Sequence, residues 1–186
     1  MAAPSRPGAP LSTVAVLGAG AVGARVARQI VTSDSVDKVV LRDTSRERLA
    51  RVSRVLGDRC RVEHAPFTRS LEADVVVVAT PRGTQLEAVL ETIEVRRPAV
   101  LVGDGLAETI AVLRRSGEAA RSGVPIAVGA GFGPGLSCLL AAHGASWFDE
   151  VDEVHVAKAG TGGPACALVH HRALSRMSYD LSLIHI

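Results

Sequence analysis

Along most of the chain, short runs of β-branched and other apolar residues alternate with stretches of helical periodicity. Val14–Leu17 is the first run. Lys38–Leu41 is the second, ending at Arg42 and Asp43, and Arg61–His64 is a weaker third. Asp74–Ala79 is the strongest, and a continuous apolar run of this kind marks a central strand buried on both faces. Ala99–Val102 and Pro125–Val128 complete the set. Between the runs, helical spacing covers Ala21–Thr32, Ser45–Leu56, Thr84–Glu94 and Ala107–Arg121. In the first of these helices, Val22, Val26, Ala27 and Ile30 form the apolar stripe. Strands alternating with helices predict an α/β fold, a Rossmann doubly wound parallel sheet over residues 12–129.

The pattern changes on either side of that block. Residues 1–11 hold Pro, Ala, Ser and Gly without an apolar core, and read as a flexible tail rather than a signal peptide. From residue 130 to 180 the chain reads as the start of a second α/β domain. Leu136–Ala142 and Ala165–Ser175 are helix-like there, and Asp152–Ala157 alternates like a half-exposed strand. The last six residues, Leu181–Ile186, back-translate to CTG TCT CTT ATA CAC ATC. That string resembles the transposon-end adapter of sequencing libraries, so these residues are expected to be an artefact and the second domain to be incomplete.

The chemistry centres on the turn after the first strand, Gly18-Ala-Gly-Ala-Val-Gly23. Gly18 permits the tight turn, Gly20 lets a pyrophosphate approach the backbone, and Gly23 allows the next helix to pack on the sheet. Ala21 and Val22 open that helix, whose unpaired amides and positive dipole end suit phosphate. Asp43 follows the last of these glycines at the end of the second strand, placed to accept hydrogen bonds from an adenosine ribose. Strand, glycine spacing, helix and distant acid together predict a dinucleotide site, NAD or NADP. Asp43 favours NAD, whereas Arg42 and Arg46 offer guanidinium groups for a 2′-phosphate. Thr80 and Pro81 follow the fourth strand at the edge where open α/β sheets bind ligands, and join the cofactor-binding set. Asp104 has two readings, as a neighbour of the nicotinamide ribose or as a helix cap. Gly131–Gly135 lets backbone approach the nicotinamide or substrate, or simply joins two domains.

Composition narrows the field. The net charge is +2 and no basic cluster is interleaved with aromatics, so nucleic acid is not an expected partner. No apolar run approaches the roughly 18 residues of a membrane span. Cys60, Cys138 and Cys166 form no CxxC pair, which points to reduced thiols in a cytoplasm, read as small buried hydrophobes, with no metal site. His143, Lys158, His170 and His171 are the available acid–base groups, but none stands in a motif that fixes a role, so no catalytic residue is assigned.

Four stretches carry a family resemblance: Val16–Gly23, Leu41–Arg46, Val78–Pro81 and Gly131–Leu136. Through them the chain resembles the saccharopine dehydrogenase-like group of NAD(P)-dependent oxidoreductases, which includes lysine dehydrogenases. The resemblance implies hydride transfer with an amino-acid-like or small polar substrate, and a second domain that carries substrate and a homodimer contact. A dehydrogenase of the Gfo/Idh/MocA sugar group is an alternative. It is disfavoured because Gly103-Asp-Gly105 stands where that group has a lysine–proline pair. A non-catalytic redox-sensing module is the other alternative.

Overall fold

The computed structural model describes residues 11–67, 72–133, 135–157 and 163–174. By spatial contacts the chain divides into two units, Met1–Val156 and Ala157–Ile186. In the first unit, six strands form one all-parallel sheet: β1 (Leu11–Leu17), β2 (Val36–Asp43), β3 (Cys60–His64), β4 (Val75–Val78), β5 (Ala99–Leu101) and β6 (Ile126–Ala127). Their spatial order is β3-β2-β1-β4-β5-β6. The predicted doubly wound sheet is therefore present, with its order reversing between β1 and β4.

β1 owes its central place to an unbroken apolar run, in which Val14, Ala15, Val16 and Leu17 are all buried. Val16 pairs with Leu41 on one side and Val77 on the other. Helices cover both faces. Against one pack α1 (Ala21–Val31) and α2 (Arg46–Leu56), with Val14, Val16, Val39, Leu41, Leu49 and Val52 in the shared core. Against the other pack α3 (Gln85–Glu94), α4 (Leu106–Leu113) and α5 (Ser116–Ser122), around Leu17, Val76, Val78, Val89, Leu101 and Val112.

Three expectations change. The stretch Ala107–Arg121 forms two helices rather than one, because the chain breaks at Arg114 and Arg115 ahead of Ser116 and Gly117. Glycine is among the poorest helix formers, and sharing a turn with serine it makes an interruption cheap. Asp152–Ala157 is not a strand: it pairs with no strand among the described residues, and Val154 and Val156 are 53% exposed. Alternation supplies a face but not the hydrogen-bonding neighbour that a strand requires. In α1, Val22 of the expected stripe is exposed; Ala27 is buried, Val26 and Ile30 pack against the core half-buried, and Gly23 is buried with them.

Beyond the sheet, α6 (Leu136–Ala145) buries none of its residues. In the second unit, the described part is α7 (Pro164–Leu174), close to the expected helix. The flexible tail expected at residues 1–11 lies outside the described residues except for Leu11, which begins β1. Leu181–Ile186 and Lys158 also lie outside the described residues. Among the described residues no helix is long and apolar enough to cross a membrane.

Candidate dinucleotide site

The parallel ladder continues one step past the strand ends. Gly18 N donates to Arg42 O at 2.7 Å, Ala79 N to Leu17 O at 2.9 Å, Val102 N to Val78 O at 3.2 Å, and Ala130 N to Leu101 O at 2.9 Å. These bonds line up the loops after β1, β4, β5 and β6 along one carboxyl edge. Ligands of open α/β sheets bind at that edge, where the strand order reverses.

The three glycines of the first loop differ in what surrounds them. Gly18 has φ +99°, and a β-carbon there would stand 2.5 Å from Ala79 O and 2.9 Å from Ala79 C. A β-carbon on Gly23 would overlap Gly18 O and approach Ala79 Cβ to 3.3 Å, so this glycine lets α1 rest on the loop and on the end of β4. Gly20 is the reverse case: a β-carbon there would meet nothing within 4 Å. The space above Gly20 is open, at the N-cap of α1, where no side chain caps the helix amides. Ala21 and Val22 are exposed beside it.

At the end of β2, Asp43 is fully buried. Its Oδ2 accepts from Ala19 N at 2.7 Å, and its Oδ1 accepts from Ser45 N at 2.7 Å. The carboxylate therefore ties the glycine loop to the start of α2. Arg48, in the first turn of α2, donates from a half-exposed guanidinium to Asp43 Oδ2 at 3.2 Å. Sequence reading did not single out Arg48. Its only linear signal is that it stands one turn into a helix that follows the acid.

The other two arginines are placed differently. Arg42 is 3% exposed, and its Nε and Nη2 donate to Glu63 Oε2 on β3 at 3.1 and 2.6 Å. It serves the β2–β3 pairing and does not present its guanidinium at the ligand edge as expected. Burial raises the Glu63 pKa, but the hydrogen bond and charge of Arg42, with help from Arg61, outweigh it and hold the carboxyl below its ordinary value. Arg46 is exposed at the start of α2.

After β4, Thr80 is 6% exposed and its Oγ1 is buried without a hydrogen-bond partner. Pro81 is exposed next to it. Asp104 is exposed and caps nothing: the N-cap of α4 is Gly105, with no side-chain cap. In the loop after β6, Gly135 has φ +129°, and a β-carbon there would approach Gly131 N to 3.0 Å. The turn is closed by Leu136 N donating to Gly131 O at 2.9 Å and Ser137 N to Phe132 O at 2.8 Å.

Among the acid–base candidates, His143 is exposed and meets Trp147 edge-on at 5.0 Å, and His171 is exposed on α7. His170 lies on α7. The cysteines are not uniformly buried hydrophobes, because Cys138 in the first turn of α6 is exposed. Its thiol is pulled below the ordinary cysteine value by the backbone hydrogen bond at Gly135, and next by the Ser137 hydroxyl. Burial, partly opposed by a backbone hydrogen bond at Leu41, pushes Cys60 up.

A glycine loop with open space above Gly20, a helix N-terminus and a buried hydroxyl lacking a partner suit a dinucleotide. The fold and loop define an NAD(P)-binding Rossmann domain. Residues 13–107, just over half of the chain, match the family described as NADP oxidoreductase coenzyme F420-dependent, and the chain belongs to that family. Among solved structures, it is similar to saccharopine dehydrogenase (L-Glu forming) from Saccharomyces cerevisiae. The TM-score is 0.58 with 17% identity, over 73% of this chain and 31% of that one. GenD2 from gentamicin A biosynthesis, solved with NAD, gives 0.56 with 22% identity over 67% and 36%. A myo-inositol dehydrogenase from Corynebacterium glutamicum gives 0.54 with 22% identity over 73% and 41%. At these identities the likeness is one of fold, and the chain spans between 31% and 41% of these three structures' length. Comparison with curated protein sequences gives no match.

Proposed function

We propose that this chain is the cofactor-holding part of an NAD(P)-dependent oxidoreductase that exchanges hydride with an amino-acid-like or other small polar substrate. The observations that carry the reading are the open space above Gly20 at the N-cap of α1 and the unpartnered Thr80 hydroxyl after β4. A bound nicotinamide dinucleotide would supply the hydride-exchanging carbon. The chain's residues would orient it: the Gly18–Gly23 amides would take the pyrophosphate, Asp43 the ribose hydroxyls and the Thr80 hydroxyl a polar group on the other half. Arg46, exposed at the start of α2, and Pro81 would border the same crevice. Much of the catalytic effect would come from positioning, which asks little acid–base equipment of the protein.

Two readings of the ribose end each rest on an observation. Asp43, at the end of β2, stands where an acid favours the free hydroxyl of NAD; its carboxylate is buried under Arg48, which would have to swing aside to admit the ribose. Arg48, whose guanidinium covers Asp43 at 3.2 Å, suits the 2′-phosphate of NADP. The family's description names NADP, which supports the second.

The exposed Leu139, Leu140, Trp147 and Phe148 support reading the region from residue 130 as part of a substrate and homodimer domain. The saccharopine dehydrogenase likeness supports the amino-acid-like substrate, and the inositol dehydrogenase likeness supports the sugar-group alternative. The absence of CxxC pairs supports a cytoplasmic setting. The test is absorbance of the reduced nicotinamide with amino acids, polyols and coenzyme F420 as hydride partners. Turnover with an amino acid or a polyol supports the proposal, and turnover with F420 alone overturns its substrate class. In the full-length protein, cofactor binding without turnover on any class favours the non-catalytic sensing module.

A further inference from the structure

Helix α3 begins beside Thr80, and its cap is unusual. Thr84 stands at the N-cap but makes no side-chain cap; its Oγ1 donates to Pro81 O at 2.8 Å, closing the turn after β4. The acceptor for α3 comes from another element. Glu108, in the first turn of α4, accepts from Gln85 N through Oε1 at 3.0 Å. In return, the Gln85 side chain, 6% exposed, lies over Gly103 in the loop after β5, filling the space that a β-carbon on Gly103 would need. The two side chains thus reach across each other and lock the loop after β4 to the loop after β5. The second Glu108 oxygen, Oε2, is buried without a partner. It faces the space beside Gly105 that Arg82 Nε also borders. Among the described residues, Thr80 Oγ1 and Glu108 Oε2 are the buried side-chain polar atoms left unpaired. One lies in the loop after β4 and the other in the first turn of α4, which follows the loop after β5.

We propose that Glu108 is a positioning residue for the nicotinamide half of the cofactor, acting through Gln85 to hold the loop that carries Thr80. The inference rests on the dinucleotide reading above. With the pyrophosphate on the first loop and the adenosine ribose at Asp43, the adenosine half lies on the β2 side of the switch point. The remaining half then lies toward β4 and β5, where the clasp sits.

The two halves can be measured separately. Calorimetric titration with ADP-ribose reads the adenosine half, and titration with the intact dinucleotide reads both. Glu108→Ala should weaken the dinucleotide about three- to tenfold, the scale of one lost hydrogen bond, and leave ADP-ribose within about twofold. Glu108→Gln should restore dinucleotide affinity, because its amide oxygen can still accept from Gln85 N. Gln85→Ala, which removes the reciprocal half, should show the same selective loss and serves if Glu108→Ala does not fold. Equal weakening of both ligands, or no weakening of either, overturns the clasp. So does failure of Glu108→Gln to restore binding. A wild-type chain that binds neither ligand overturns the dinucleotide reading, and the clasp with it.

Discussion

Replacing Gly23 by alanine adds one methyl group at a place with no room for it. The new carbon would overlap Gly18 O and stand 3.0 Å from Gly18 C and 3.3 Å from Ala79 Cβ. Carbon atoms in good contact are about 3.5–4.0 Å apart, and the overlap with Gly18 O is the severest of the three, so α1 must withdraw by roughly an ångström or more. Two of the three obstacles are backbone atoms of the loop itself, so no side chain can rotate away. Overpacking of this kind costs about 1–3 kcal/mol, and a backbone obstacle puts this site at the upper end. Alanine's better helix propensity returns at most about 1 kcal/mol. The net loss is about 2 kcal/mol, which for a chain of this size lowers Tm by about 4–8 °C. Gly20→Val is the matched control. Its backbone, φ −72° and ψ −173°, admits any residue, and the β-carbon meets nothing within 4 Å, so Tm should stay within about 2 °C of wild type. Its cost is in binding: the side chain fills the space the pyrophosphate needs, and affinity should fall about tenfold or more. Circular dichroism melts and calorimetric titration read the two effects. A Gly23→Ala chain that melts with wild type, or a Gly20→Val chain that binds as wild type does, refutes this division of labour.

Other outcomes follow from single contacts. Asp43→Ala should shift cofactor preference toward NADP and Arg48→Ala toward NAD, read as the ratio of the two dissociation constants; an unmoved ratio in both removes this pair from ribose recognition. Glu63→Gln should cost about 2 kcal/mol at pH 7, from weakened charged hydrogen bonds to Arg42. The folded-state pKa of Glu63 is depressed, so this contribution is present in full above the unfolded value of about 4.3 and is lost as the pH falls through the folded value. In urea melts the gap between wild type and Glu63→Gln should therefore close on acidification, and a gap that persists in strong acid would contradict the assignment. Cys138 should be alkylated by iodoacetamide faster and at lower pH than Cys60, because its thiol is exposed and shifted down while that of Cys60 is half-buried and shifted up. Peptide mapping reads the order, and faster labelling of Cys60 would reverse it. Arg59→Lys should lower stability by about 1 kcal/mol, because a lysine cannot reproduce the fork by which Arg59 meets the carbonyls of Val31, Ser33, Val36 and Asp37.

The sheet and its glycine loop were legible because their signals are local. Continuous apolar runs such as Val75–Val78 specify a strand covered on both faces. The spacing of Gly18, Gly20 and Gly23 answers steric needs within one turn. What escaped sequence reading depends on neighbours far along the chain. Arg42 was a candidate phosphate ligand until β3 brought Glu63 against it, twenty-one residues away. Glu108 meets Gln85 across twenty-three residues, and no periodicity within α4 signals that contact. Asp152–Ala157 shows the converse: its alternation was real, but a strand also needs a partner to pair with, and it has none among the described residues. The break between α4 and α5 was visible as Ser116-Gly117, but was outweighed by the helical spacing on either side.

A nicotinamide dinucleotide is expected to bind at the carboxyl ends of β1 and β4, where the strand order reverses. The most direct test is calorimetric titration of the chain with NAD and NADP, followed by displacement with ADP-ribose. One-to-one binding of at least one dinucleotide, displaced by ADP-ribose and weakened in Gly20→Val, is the predicted result. Binding of neither dinucleotide by a chain that melts cooperatively would contradict it.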